Sequence, residues 1–147
     1  MDAKTSKFIG LSTWKDADGL QSVSKTLTSA QILALNSTPI TVITAPRANE
    51  VIEIISAFAQ LNYGTVAYAT NTGLDLSYSG NPTTRIWNNT AILGDASDIM
   101  RRLDKSSGAS AQIMREGEAI VANNITGNPT DGDGTVTVYV AYRVVAI

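Results

Sequence analysis

From Thr135 to Val145 apolar and mixed positions alternate without a break, and neither Gly nor Pro interrupts them. Val136, Val138, Val140, Tyr142 and Val144 share one face, while Thr135, Thr137, Tyr139, Ala141 and Arg143 share the other. A period of two over eleven residues defines a β-strand with one apolar face. It is longer than the usual strand of about five or six residues, which suggests a central position in a sheet. The preceding stretch, from Glu118, holds the apolar run Ala119-Ile120-Val121-Ala122 ahead of a cluster of turn residues, Asn128-Pro129-Thr130-Asp131-Gly132-Asp133-Gly134. Two β-forming runs around such a cluster predict a closing hairpin.

Upstream, Ala45-Pro46-Arg47 is a turn signal, and from Asn62-Tyr63-Gly64 through Asn71-Thr72-Gly73 to Ser79-Gly80-Asn81-Pro82 such signals recur at 8–12-residue spacing. Strands are predicted at Ile40–Thr44, Glu50–Leu61, Val66–Thr70, Leu74–Tyr78, Thr83–Leu93 (interrupted at Asn88-Asn89) and Ala111–Arg115. Glu50–Leu61 suits either a helix with Val51, Ile55, Phe58 and Asn62 on one face or a strand buried on both faces, and the β-branched residues Val51, Ile52, Ile54 and Ile55 favour the strand. Thr28 with Gln31 three positions on is a capping box that opens a short helical turn. Asp95–Leu103 suits either a short helix or an irregular excursion. About eight strands without a βαβ rhythm predict an all-β fold, an antiparallel jelly-roll-like β-sandwich with one or two short helical turns. Residues 1–25 lack periodicity and read as an N-terminal arm or an edge strand, leaving 26–147 as the sandwich domain.

The 147 residues are 44% hydrophobic, enough for one buried core. Only 16% are charged, below the roughly 25% of ordinary soluble domains, which fits a surface covered by copies of itself or by other proteins. The 11 Lys and Arg form no basic run, so no nucleic-acid partner is expected. No membrane span is expected either, since no apolar stretch approaches the roughly 18 residues that one needs. His and Cys are both absent, which removes Ser-His and Cys-His nucleophile pairs, disulfides and the commonest zinc sites. No catalytic residue, cofactor or metal site is assigned, and the chain is not expected to be an enzyme.

Asp131 and Asp133 could offer oxygens to Ca²⁺, but lack the rest of an EF-hand and serve the turn more simply. Asp95, Asp98 and Asp104 with Arg101 and Arg102 form a charged face, and Glu53 is either a solvent-side residue or a cross-strand partner for Arg143. Tyr63, Tyr68 and Trp87 are either packing residues or a shallow sugar platform. Asn124-Ile125-Thr126 is a glycosylation sequon, given no weight because no secretory signal is recognised. Within the arm, Phe8, Ile9, Leu11 and Trp14 are the candidate assembly contacts, Trp14 serving either to cover its own domain or to anchor in a neighbour.

Three stretches carry a resemblance: Ser29 to Ile40 (SAQILALNSTPI), Val42 to Ile55 (VITAPRANEVIEII), and the ending Gly132-Asp133-Gly134-Thr135 through Tyr142-Arg143-Val144-Val145. Together they resemble small structural proteins of tailed bacteriophages, from about Thr28 to the C-terminus. The resemblance implies a jelly-roll or tumour-necrosis-factor-like sandwich, commonly trimeric, on the outer surface of the virion and made in the host cytoplasm. It implies a head decoration (cement) protein touching the major capsid protein, or alternatively a fibre or spike head that binds a host receptor or glycan. It carries no catalytic residues.

Overall fold

The structure, a computed structural model, describes residues 19–147. Ten strands follow in order: β1 (Gln21–Leu27), β2 (Ile40–Ile43), β3 (Glu50–Asn62), β4 (Tyr68–Ala69), β5 (Leu74–Tyr78), β6 (Trp87–Asn89), β7 (Ile99–Lys105), β8 (Ile120–Asn123), β9 (Thr130–Asp131) and β10 (Thr135–Ala146). Among the described residues a single short helix, α1 (Ser29–Leu33), lies between β1 and β2. Its capping box is complete, with Thr28 Oγ1 accepting from the Gln31 N–H and Gln31 Oε1 accepting from the Thr28 N–H.

Eight strands form one continuous antiparallel sheet in the order β1-β10-β3-β7-β6-β5-β8-β2, folded over on itself. Strand β7 makes the corner. Its first part pairs with β3, from Ile99↔Leu61 to Leu103↔Ala57, and its end pairs with β6 through Asp104 and Lys105. The result is a jelly-roll-like sandwich, with sheet A (β1, β10, β3, β7) facing sheet B (β7, β6, β5, β8, β2). At the opposite edge β1 and β2 come within 8 Å, Cα to Cα, so the sandwich is nearly a barrel. Leu27, Ile52, Leu61, Leu74, Leu76, Leu103, Ile120 and Val136 are fully buried between the sheets, and Ile32 and Leu35 seal one side.

Strand β10 is central in sheet A, as its alternation predicts, with Val136, Val138 and Val140 in the core. Strand β3 is a strand as expected, but it is not buried on both faces. Ala141 pairs with Ser56 and Tyr142 with Ile54, which leaves Ile55 as an extra residue in a β-bulge. The bulge shifts parity, so Ile52 and Ile54 point inward before it and Ala57, Ala59 and Leu61 after it. Apart from Val51, which is buried where Glu116 bridges to it, a continuous apolar sequence therefore builds a one-sided strand.

Five expectations are corrected. The closing hairpin does not form, because β8 pairs with β5 and β2 while β10 pairs with β1 and β3. The segment between them crosses from one sheet to the other and stops midway to pair β9 with β4. Asp95–Leu103 is not a helix; residues 95–98 are irregular, as the alternative had it, but from Ile99 the chain is β7, with Leu103 buried and its neighbours exposed. Thr83–Leu93 holds strand only at Trp87–Asn89, where the interruption was expected, followed by a 3-10 turn at Ile92–Gly94. Ala111–Arg115 is not a strand, and a 3-10 turn occupies Ala109–Gln112. Residues 21–25, grouped by sequence with the arm, lie within β1.

Candidate interaction surface

The outward faces of the two sheets differ. On sheet B the outward residues Asp75, Ser77, Val121 and Asn123 are all buried, because the chain covers them itself. Asn123 Nδ2 donates to the Pro82 carbonyl, the Ile125 N–H donates to Asp75 Oδ2 at 2.9 Å, and Arg85 Nε lies 3.3 Å from Asp75 Oδ1. Burial pushes the Asp75 carboxyl upward, against the pull of the Ile125 N–H and the Arg85 guanidinium. On sheet A only Val51, at the start of β3, is covered in this way, and no described residue covers the face from Ser56 to Gln60.

Cross-strand register orders the sheet A face into rows. The central row is Ser24–Tyr139–Phe58–Arg102. The rings of Phe58 and Tyr139 stack at 4.7 Å between centroids and 12° between planes. Phe58 stays 38% exposed, although it sits mid-strand in the longest ladder of the sheet. The next row is Ser22–Ala141–Ser56, all small residues. An aromatic ridge thus stands beside a shallow trough, and the recess of about 410 Å³ is lined chiefly by these residues. On the far side of the ridge lies the row Thr26–Thr137–Gln60–Met100, where the Thr26 and Thr137 hydroxyls hydrogen-bond at 2.8 Å. On the far side of the trough Arg143 reaches across to Glu53, with Nε and Nη2 at 2.8 and 2.7 Å from Oε2. That is the cross-strand pair considered from the sequence. Apolar groups at the centre with polar and charged groups outside is the arrangement of protein interfaces.

The other candidates distribute elsewhere. Phe8, Ile9, Leu11 and Trp14 lie outside the described residues. Asp133 accepts from the Thr65 and Val66 N–H groups at 2.8 and 2.9 Å and from Thr65 Oγ1 at 2.6 Å. These bonds, led by the Thr65 hydroxyl, hold its carboxyl below the usual range. Asp131, at φ +57°, turns the chain where β9 pairs with Tyr68 of β4. The two aspartates therefore serve the turn, and among the described residues no group of three or more acidic, His or Cys side chains is placed to hold a metal ion.

Tyr63, Tyr68 and Trp87 form no common platform. Tyr68 is buried and donates to the Gly134 carbonyl at 2.7 Å, and burial together with nearby Asp133 pushes its pKa up to about 12. Tyr63 bonds the Thr65 carbonyl, and Trp87 half-lines a separate cleft beside Ile113 and Met114. In the acidic stretch Asp95 takes a two-pronged bond from Arg101 at 2.7 and 2.8 Å, and Asp98 accepts from the Tyr63 N–H. Asn124 of the sequon is 1% exposed. The face of sheet A was not singled out from sequence, because the bulge at Ile55 conceals which residues of β3 share a side. The outward residues of β10 were legible on their own.

No family model matches the chain, and no curated protein matches it in sequence. Among solved structures, a chain of the "Cyanophage Pam1 capsid asymmetric unit" is similar over 97% of this chain and 91% of its own length, with 17% identity and a TM-score of 0.47.

Proposed function

We propose that this chain is a structural protein of a tailed-bacteriophage virion, and that it acts as a head decoration protein. The observation that carries the reading is the contrast between the two sheets. The chain closes the outer face of sheet B with its own loops and presents on sheet A an aromatic ridge framed by small, largely uncharged residues. A face of this composition suits contact with protein better than chemistry on a small molecule. The sequence resemblance to phage structural proteins supplies the biological setting. In this reading the protein has no catalytic role, binds copies of itself, and uses Phe8, Ile9, Leu11 and Trp14 of residues 1–25 against the major capsid protein. Many weak contacts repeated around a shell then suffice for stable cover.

The test is co-sedimentation of the purified protein with undecorated phage heads. Saturable loading is expected, and a chain lacking residues 1–20 should fold but fail to load. Loading that survives the truncation would remove that segment from the reading. A protein that ignores heads but binds host cells would instead be a fibre or spike head; the burial of Tyr68 speaks against the sugar platform considered for that role.

A further inference from the structure

We propose that the sheet A face pairs with the same face of a second copy across a two-fold axis. This deepens the structural reading above and rests on it for its setting. The axis would lie in the contact plane, perpendicular to the strands, between the Phe58–Tyr139 row and the Ser56–Ala141 row. Three features of the face fit that one operation.

The first is shape. The rotation carries ridge onto trough in both directions, setting Phe58 against the partner's Ser56 and Tyr139 against the partner's Ala141. An isologous contact requires such self-complementarity, and adjacent rows of large and small side chains provide it. The second is charge. Arg102 and Asp104 are exposed and two residues apart on β7, so both point outward, Asp104 at the corner where β7 passes from β3 to β6. The same rotation sets Arg102 opposite the partner's Asp104, and Asp104 opposite the partner's Arg102. It also brings Gln60 toward the partner's Glu53, an amide donor facing a carboxylate.

The third is area. Strand spacing and rise give the four-stranded face a projection on the order of 600 Å². Its accessible surface, with Phe58, Tyr139, Met100 and Arg102 standing out from it, approaches the roughly 800 Å² per partner of a standard stable interface. A two-fold pair is a different assembly from the trimer that the phage resemblance implies.

Sedimentation equilibrium of the full-length protein tests the pairing, with circular dichroism as a check on folding. The wild type is expected to be a dimer. Arg102→Asp places like charges opposite each other twice per dimer and should weaken association at least tenfold. The charge-swapped Arg102→Asp/Asp104→Arg should return it to within about threefold of wild type. Ala141→Arg fills the trough and should weaken association independently of that pair. A monomeric or trimeric wild type would overturn the proposal, as would a dimer indifferent to both single variants or a swap that fails to restore it. Loading onto heads is scored separately. A dimer built on this face that never loads would leave the pairing standing and sink the decoration role, and a loading monomer would do the reverse.

Discussion

The Asp133 carboxylate and Thr65 are tied by two hydrogen bonds, one to the Thr65 N–H at 2.8 Å and one to its hydroxyl at 2.6 Å. Sixty-eight positions apart in the chain, they fasten the loop after β3 to the start of β10. Because the charged form is the one that is hydrogen-bonded, the folded pKa is lowered. The stabilisation is therefore complete above the unfolded value of about 3.9 and is lost as pH falls through the lower folded value. Asp133→Asn should melt below wild type at neutral pH, and the gap should narrow once the pH drops under about 4. Thermal melts of both proteins between pH 2.5 and 7 would check this; a gap independent of pH would exclude the charged carboxylate as its source.

Asn124 behaves as a structural tie. Its Nδ2 donates to the carbonyls of Asn71 and Gly73, and its Oδ1 accepts from the Thr126 N–H and hydroxyl. Asn124→Ala should cost about 1–3 kcal/mol, since it leaves two partly buried carbonyls without a donor. Urea denaturation would measure it. Thr126→Ala, which removes only one hydroxyl bond, should cost less.

These ties show where sequence reading succeeds and where it stops. Local chemistry was legible: the Thr28–Gln31 box, the alternation of β10 and the turn role of Asp131 and Asp133 all follow from neighbours within a few residues. Partner choice was not. Nothing in Glu118–Ile147 distinguishes a hairpin from two strands in opposite sheets, because that outcome depends on β5 and β3 competing for β8 and β10. Trp87–Asn89 carries two polar residues and forms strand only because β5 and β7 flank it. The open face needed both kinds of information, since Phe58 is apolar and only the ladder register places it outside.

Asp75 should show the opposite pH behaviour to Asp133. Burial raises its folded pKa, so its contribution to stability is fully present below the unfolded value and declines as pH rises through the folded one. Asp75→Asn keeps an acceptor for the Ile125 N–H and removes the buried charge. The stability of the variant relative to wild type should therefore increase as pH is raised from about 3 to 7. Chemical denaturation at both ends of that range would test it. A relative stability that falls with pH would mean that the Arg85 contact outweighs burial.

Ile55 is the residue whose removal should matter more than its replacement. It is exposed and is the extra residue of the β3 bulge, so Ile55→Ser should change stability by no more than about 0.5 kcal/mol. Deleting it removes the parity shift. With Ala57, Ala59 and Leu61 held in register against β10, Ile52 and Ile54 would turn to the outside and Val51 and Glu53 to the inside. Loss of a buried isoleucine to a small residue costs about 2–5 kcal/mol, and this deletion displaces two while driving a carboxylate toward the core. The sum is comparable with the whole stability of a domain, about 5–15 kcal/mol. The deletion should yield an unfolded or aggregated chain by circular dichroism and sedimentation, while Ile55→Ser remains native. A deletion variant that folds as well as wild type would show that the bulge can migrate along β3, and that the register of the open face is not fixed at Ile55.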